Sequence, residues 1–296
     1  MTEIFGVPTQ ALFGQLLIGL INGAFYAMLS LGLAVIFGLL NIINFTHGAQ
    51  YMMGAFCSYF LLQYAGVGYW WSLAHRADRR RRDRRRHRAD DARAAVQARP
   101  PLRTAADVRP RADHPGPVHA TSTARPDLPY QIPEELSGGI NLGFMFLPKY
   151  RAWVIIASVA VCAATWYVIE RTKLGSYLRA ATENRALVQA FGINVPRMIT
   201  LTYGFGVGLA AFAGVMAAPI YQVNPQMGAN MIIVVFAVVV IGGMGSILGA
   251  IVTGFGLGVV EGLTKVFYPE ASNTVIFVIM VIVLLIKPAG LFGKER

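Results

Sequence analysis

Apolar residues fall in long blocks separated by short polar islands: Leu12 to Leu40, Gly48 to Val67, Ala152 to Ile169, Met198 to Tyr221, Met231 to Leu263 and Thr274 to Ile286. A bilayer core takes roughly 20 apolar residues per helix, so these blocks predict membrane helices. The first and fifth exceed one perpendicular span and are rich in glycine. They leave open two spans each, or a broken or re-entrant element of the kind that matters in transporters. Small residues crowd Gly204, Gly206, Gly208, Ala210, Ala211, Ala213 and Gly214, and in lipid such faces let helices approach closely. The expected fold class is therefore all-α, a polytopic transmembrane helical bundle of about six to eight spans. With Glu3 in place of a basic region and an apolar block past signal-peptide length, no cleavable leader is expected.

The polar islands set an orientation. Arg171, Lys173, Arg179, Arg185 and Arg197 share one segment, and Lys287, Lys294 and Arg296 close the chain, so both are expected in the cytoplasm. An even number of crossings must then separate Ile199 from Lys287, which divides Met231 to Leu263 into two elements broken near IGGMGS. Residues 128–151, with Glu134 and Glu135, are expected on the periplasmic side. The chain divides into an N-terminal transmembrane part (1–73), residues 74–127, the loop 128–151, and a second transmembrane part (152–296) that carries the polar loop 170–197.

Residues 74–127 do not fit this pattern. They hold 15 of the chain's 26 Lys and Arg and 7 of its 15 acidic residues, yet no Ile, Phe, Tyr, Trp, Met, Lys, Glu or Asn. The formal charge of +11 thus belongs mostly to one window, and the basic pI is no argument for nucleic-acid binding by the chain. The missing residue types are those of A/T-rich codons, as in a GC-rich gene read out of frame. With CGN arginine codons, Arg-Arg read one nucleotide later gives GNC, which encodes Val, Ala, Gly or Asp. Asp-Arg and His-Arg give AYC, Ile or Thr. DRRRRDRRRHR then collapses into an apolar string, His87 to Asp91 permit I-E-R-T-M, and Ala98 to Val118 permit LDPLYGLLLTFGLALIIQGLF. In frame, VIERTKLG stands at Val168 to Gly175, and LPYQIPEEL resumes the ordinary pattern at Leu128. The window is read as a frameshift that replaced one or two spans, with a compensating shift between about His119 and Asp127. As written it is expected to be disordered or non-native, being highly charged and proline-rich, and unable to enter lipid.

The island RTKLGSYLRAATENRALVQAFGINVPRM has helix formers without proline from Gly175 to Phe191, which predicts one or two short helices. Gly192 fits a C-terminal cap, and Pro196 blocks continuation. Taken with NIINFTHGAQYMMGAF, YQVNPQMGANM, VVVIGGMGSILGAIVTGFGLGVVEGL and LLIKPAGLFG, in that order along the chain, it resembles the branched-chain amino-acid ABC importer permeases, the LivH type of the LivH/LivM family. That resemblance implies a permease subunit of a bacterial inner membrane importer for branched-chain or related amino acids. Its partners would be a second, LivM-like permease, two cytoplasmic ATPase subunits and a periplasmic substrate-binding protein. The island would be the coupling loop that docks on an ATPase, held rigid by small residues Gly175, Ala180, Ala181, Ala190 and Gly192, with Arg179, Glu183 and Asn184 as polar contacts. Urea or short-amide permeases share the fold and are an alternative.

No G-x-x-x-x-G-K-[ST] loop occurs, so ATP is expected on the partner subunits and no cofactor on this chain. GMGSILGA shares only the glycines of such a loop. Asn41, Asn44, Thr46 and His47 cluster beside apolar runs; they are candidates for the substrate path, or else a capped turn at a membrane boundary. Glu261, Asn224 and Gln226 are further pore or gate candidates, although Asn224-Pro225 also reads as a plain turn. His47 has no His, Cys or carboxylate partner nearby in sequence, so no metal site is expected, and Cys57 and Cys162 read as small core residues. A basic module binding lipid or nucleic acid through residues 74–127 would call for interleaved aromatics or an amphipathic helix, which the window lacks. No paired carboxylates, HExxH or GxSxG point to an enzyme, and no catalytic residue is expected.

Overall fold

A computed structural model describes residues 3–4, 7–40, 44–66, 68–70, 128–143 and 145–293. The window 74–127 and Asn41 lie outside the described residues. The helices are α1 (Thr9–Leu40), α2 (His47–Ala65), α3 (Lys149–Arg171), α4 (Lys173–Glu183), α5 (Arg185–Ala190), α6 (Val195–Tyr221), α7 (Met227–Gly242), α8 (Ile247–Phe267) and α9 (Val275–Ile286). Two short antiparallel ribbons, β1 (Glu3–Ile4) with β2 (Val7–Pro8) and β3 (Gly139–Asn141) with β4 (Phe146–Pro148), are the strands among the described residues. Four helices, α1, α3, α6 and α8, are long and apolar enough to cross a membrane, and α7 and α9 are shorter apolar helices.

The Leu12 to Leu40 block is one unbroken helix, about 48 Å long at 1.5 Å per residue. Four of its five glycines, Gly19, Gly23, Gly32 and Gly38, serve packing rather than a break. Gly19 and Gly23 face Gly254, Gly258 and Gly262 of α8, and a methyl on Gly23 would lie 3.0 Å from the backbone Cα of Phe255. Backbone therefore rests on backbone, the close approach that small residues permit in lipid. From Gly23 to Ile36 every residue of α1 is buried, with Phe25, Met28 and Leu31 wholly enclosed. α1 is the central column, and α3, α6, α7 and α8 pack around it.

The Met231 to Leu263 block does divide, at Gly243 to Ser246. Gly243 (φ 98°) and Gly245 (φ 92°) take backbone angles that disfavour any side chain, and Ser246 caps α8 by accepting from the Gly249 N–H at 3.0 Å. The chain after α9 returns to this corner. Leu291 and Phe292 donate their N–H groups to Ile241 and Gly242 O at 2.8 and 3.1 Å, satisfying carbonyls that the end of α7 leaves free. α4 and α5 lie at the same end as this corner, since Leu178 of α4 meets Val35 of α1 and Leu201 of α6 around one apolar cleft. This end is called the loop end.

At the far end the chain is held by aromatic side chains. Tyr150, at the start of α3, donates to Met216 O of α6 at 2.8 Å and meets Tyr69 Oη at 3.0 Å. Trp70 stacks edge-on against Trp153 at 5.3 Å, and Leu128 bridges to Val223, just past α6. Residues 128–148, expected as a loop on one side of a membrane, form a 3-10 turn and the β3–β4 ribbon here. Cys162 is buried as expected; Cys57 is exposed, because it falls on the outer stripe of α2 with Met53 and Leu61.

Candidate functional site

The polar island folds as two short helices. α3 stops at Thr172, which is extended (φ −112°, ψ 163°), and α4 turns back so tightly that a side chain at Gly175 would strike the carbonyl of Ile169. Leu178 and Ala181 point inward and are buried. Arg179 reaches back to Glu170 at 3.3 Å and to Ile169 O at 3.5 Å, so it braces the turn while remaining about half exposed. Asn184 separates α4 from α5 and caps α5, its Oδ1 accepting from the Leu187 N–H at 3.0 Å. Gly192 follows α5 at φ 80°, and Asn194 caps α6 through the Arg197 N–H at 3.0 Å. Ala180, Glu183 and Ala190 lie on the outside. Beside them stand Tyr177, Leu187 and Phe191, the last 77% exposed. These apolar side chains were missed as candidates, although a large aromatic next to a capping glycine was a legible signal.

The second constellation is the start of α2. His47 is fully buried, and its Nε2 lies 3.1 Å from Leu29 O, so α2 begins part-way along α1 rather than beyond its end. Asn44 Oδ1 accepts from the Thr46 N–H at 3.1 Å and from the Thr46 hydroxyl, while Asn44 Nδ2 faces Gln50 at 3.3 Å and Tyr203 of α6 at 3.5 Å. Thr46 itself is exposed. The capped turn read from the sequence is thus present, but inside the bundle instead of at its boundary.

α7 begins in the same way. Asn224 Oδ1 accepts from the Gln226 N–H at 3.1 Å, and the paired backbone bonds His47 N to Asn44 O and Met227 N to Asn224 O recur. Asn44, Gly48, Ala49 and Phe56 recur as Asn224, Gly228, Ala229 and Phe236, each 180 positions on. The two turns touch: a side chain on Gly48 would strike Gly228, one on Gly228 would strike Gly48, and Ile232 and Met52 flank the contact. Gly48 neighbours Ile232 and Gly228 neighbours Met52, so the helices run antiparallel and overlap by about two turns. Phe45, just before α2, lies against Phe236, well inside α7, at 5.9 Å, so the two N-termini point past each other, each with its positive dipole end beside the body of the other helix.

The third constellation surrounds Glu261 on α8. The carboxylate is buried; Tyr26 donates to it at 2.7 Å, Asn22 at 3.2 Å, and Lys265 pairs with it one turn on. Tyr221, the last residue of α6, donates to Asn22 Oδ1 at 2.7 Å. One polar chain therefore ties α1, α6 and α8 near the far end. Asn22, Tyr26 and Tyr221 were not singled out beforehand, though a polar side chain inside an apolar block is the usual sign of such a partner. Among the described residues no group of His, Cys, Asp and Glu could hold a metal ion.

These features define a multi-pass helical membrane protein with a short helical loop exposed at one end and broken elements inside. The chain belongs to the family described as branched-chain amino acid transport system / permease component, whose model matches residues 15–75 and 121–284. It is 28% identical over 320 residues to the high-affinity branched-chain amino acid transport system permease protein LivH of Salmonella typhimurium LT2, covering 100% of this chain and 99% of that one. It is 29% identical over 320 residues to LivH of Escherichia coli K12, with the same coverage. To the permease protein BraD of Pseudomonas aeruginosa it is 29% identical over 315 residues, or 95% of this chain and 96% of that one. No solved structure matches the chain.

Proposed function

We propose that the protein is the membrane permease subunit of an ABC importer that takes up branched-chain amino acids across a bacterial inner membrane. The observation that carries this reading is the family match on both sides of residues 76–120, joined to full-length likeness to permeases named for that transport. The loop end, with α4, α5 and the C-terminus, faces the cytoplasm; the basic residues of both segments support that side. α4 and α5 then dock on one of two ATPase subunits, with Phe191, Leu187 and Tyr177 as apolar anchors beside Glu183, Ala180 and Ala190. Gly175, Ala181, Arg179, Asn184 and Gly192 hold the pair rigid. ATP is bound by those partners, and this chain needs no cofactor. A second permease and a periplasmic binding protein complete the importer.

For the substrate path the support is geometric. α2 and α7 both begin part-way through the bundle and cross at Gly48 and Gly228, and a helix N-terminus placed there favours a zwitterion's carboxylate through its backbone N–H groups. Asn44, Thr46 and His47 line one of these turns, and Asn224 and Gln226 the other. No residue favours the urea or short-amide reading, and none outside 74–127 favours a lipid- or nucleic-acid-binding module.

The test is uptake of radiolabelled leucine, isoleucine and valine in cells lacking their own importer, with this permease co-expressed with its second permease, ATPases and binding protein. Both the chain as written and a version with residues 74–127 returned to the shifted frame are assayed. Saturable uptake by the restored version that stops when the ATPases are inactivated supports the reading. Uptake of urea or acetamide with no branched-chain amino acid would overturn it.

A further inference from the structure

An apolar cleft opens between α3 and α6 toward the loop end. Val35 of α1 floors it, Val168 and Leu174 form one wall, and Leu201 and Phe205 of α6 form the other. Leu201 is 63% exposed and Phe205 45%, so the cleft opens sideways out of the bundle, where a membrane protein meets hydrocarbon. On the same stripe of α6, Gly204 and Gly208 have no atom within 4 Å of where a side chain would begin. The cleft therefore runs on toward the middle of α6 as a shallow groove. From Arg197 to Gly208 is 11 residues, about 16 Å of helix, which matches one leaflet of a hydrocarbon core roughly 30 Å thick.

The mouth of the cleft is basic. Arg197 stands one turn before Leu201 on the same stripe of α6, and Lys173 directly precedes Leu174. Both are exposed. Neither pairs with an acidic side chain among the described residues, where the ion pairs join Arg179 to Glu170 and Lys265 to Glu261. Glu170, three residues before Lys173, is thus already engaged by Arg179. Two unpaired cations remain at the point where an apolar groove reaches the membrane surface. Long basic side chains at that level extend to the polar layer, and a basic pocket between helices on the cytoplasmic side binds anionic headgroups. A zwitterionic lipid carries a cation of its own and gains less there.

We infer that the cleft between α3 and α6 binds an anionic phospholipid of the phosphatidylglycerol type, its phosphate between Lys173 and Arg197 and one acyl chain along Leu201, Gly204, Phe205 and Gly208. Its place in the inner leaflet rests on the permease reading, whereas its binding needs no transport. The test is made on the purified full chain in one neutral detergent, titrated with dioleoyl-phosphatidylglycerol or dioleoyl-phosphatidylcholine. Bound lipid is counted by native mass spectrometry and the melting midpoint is followed alongside. The arginines of residues 74–127 draw anionic lipid unselectively, so each comparison is between variants that share them. A basic side chain at a membrane surface is worth about fivefold in affinity. Lys173→Gln combined with Arg197→Gln should therefore weaken phosphatidylglycerol binding by about 25-fold, leave phosphatidylcholine unaffected and keep the lipid-free midpoint of the parent. Gly204→Leu with Gly208→Leu fills the groove and should weaken both lipids. Unchanged phosphatidylglycerol binding in the glutamine pair overturns the inference, as does equal stabilisation of the parent by the two lipids. A midpoint shift from inorganic phosphate as large as that from phosphatidylglycerol would make this a phosphate site and overturn it too. So would a photoactivatable maleimide on Leu201→Cys, with Cys57 and Cys162 replaced, that cross-links to the second permease in the assembled importer, since the cleft would then belong to that subunit. Absence of amino-acid uptake with lipid selectivity intact counts against the transport reading alone.

Discussion

Gly258 and Gly256 stand two residues apart on α8 in opposite surroundings, which makes them a matched pair. A methyl at Gly258 would run into Gly23 Cα and N and the carbonyl of Gly19, all backbone, whereas at Gly256 nothing lies within 4 Å. Backbone atoms of a buried helix cannot swing aside. To restore a normal carbon separation of about 3.5 Å, α1 and α8 must part by about 1 Å. Overpacking of this kind costs about 1–3 kcal/mol, which for a chain of this size lowers the melting midpoint by about 2–12 °C. Gly256→Ala removes a flexible residue from a helix interior without a clash and should gain up to about 1 kcal/mol. The two alanine variants should therefore move in opposite directions. The assay is thermal unfolding of the purified protein in one detergent at one scan rate, since membrane-protein melting is commonly irreversible. If Gly258→Ala melts at or above Gly256→Ala, the backbone-on-backbone seam between α1 and α8 is refuted.

Other outcomes follow from single contacts. Tyr26→Phe removes a buried donor to the Glu261 carboxylate and should cost about 1.5–3 kcal/mol, read in the same melting assay; an unchanged midpoint would mean that the network around Glu261 carries no stability. Asn184→Ala removes the cap of α5 and should cost about 1 kcal/mol locally, seen as faster amide exchange over residues 185–190 and weaker stimulation of the partner ATPase, with the melting of the bundle unchanged. Arg179→Ala breaks a half-exposed ion pair and should change stability by less than about 1 kcal/mol; a larger loss would show that its bond to Ile169 O is the stronger brace. Resequencing the DNA for Ser72 to Leu128 should reveal two compensating single-nucleotide shifts, and an unaltered sequence would place the arginines in the protein.

The elements that could be read from sequence were those decided locally. The division of the fifth apolar block at IGGMGS, the two short helices of the island and the stop at Gly192 all depend on glycine angles and caps within a few residues. What could not be read depends on contacts far along the chain. Leu12 to Leu40 looked divisible because its glycines weaken a helix, and only the facing glycines of α8 explain why it stays whole. The depth of the NFTHG turn is set by His47 meeting Leu29, which no local pattern announces. Its likeness to the turn before α7 rests on four identities in thirteen positions, too few to stand out until the two turns are seen in contact. For Glu261 the residue was legible and its partners on α1 were not.

Trp70 Nε1 lies 3.4 Å from Glu135, so the chain on either side of residues 71–127 meets at one point of the far end. Such a junction has the geometry of an insertion point, two chain ends side by side on the surface. Whatever joins residues 70 and 128 therefore starts and finishes at one point on the surface of the bundle, beside the start of α3 and the end of α6.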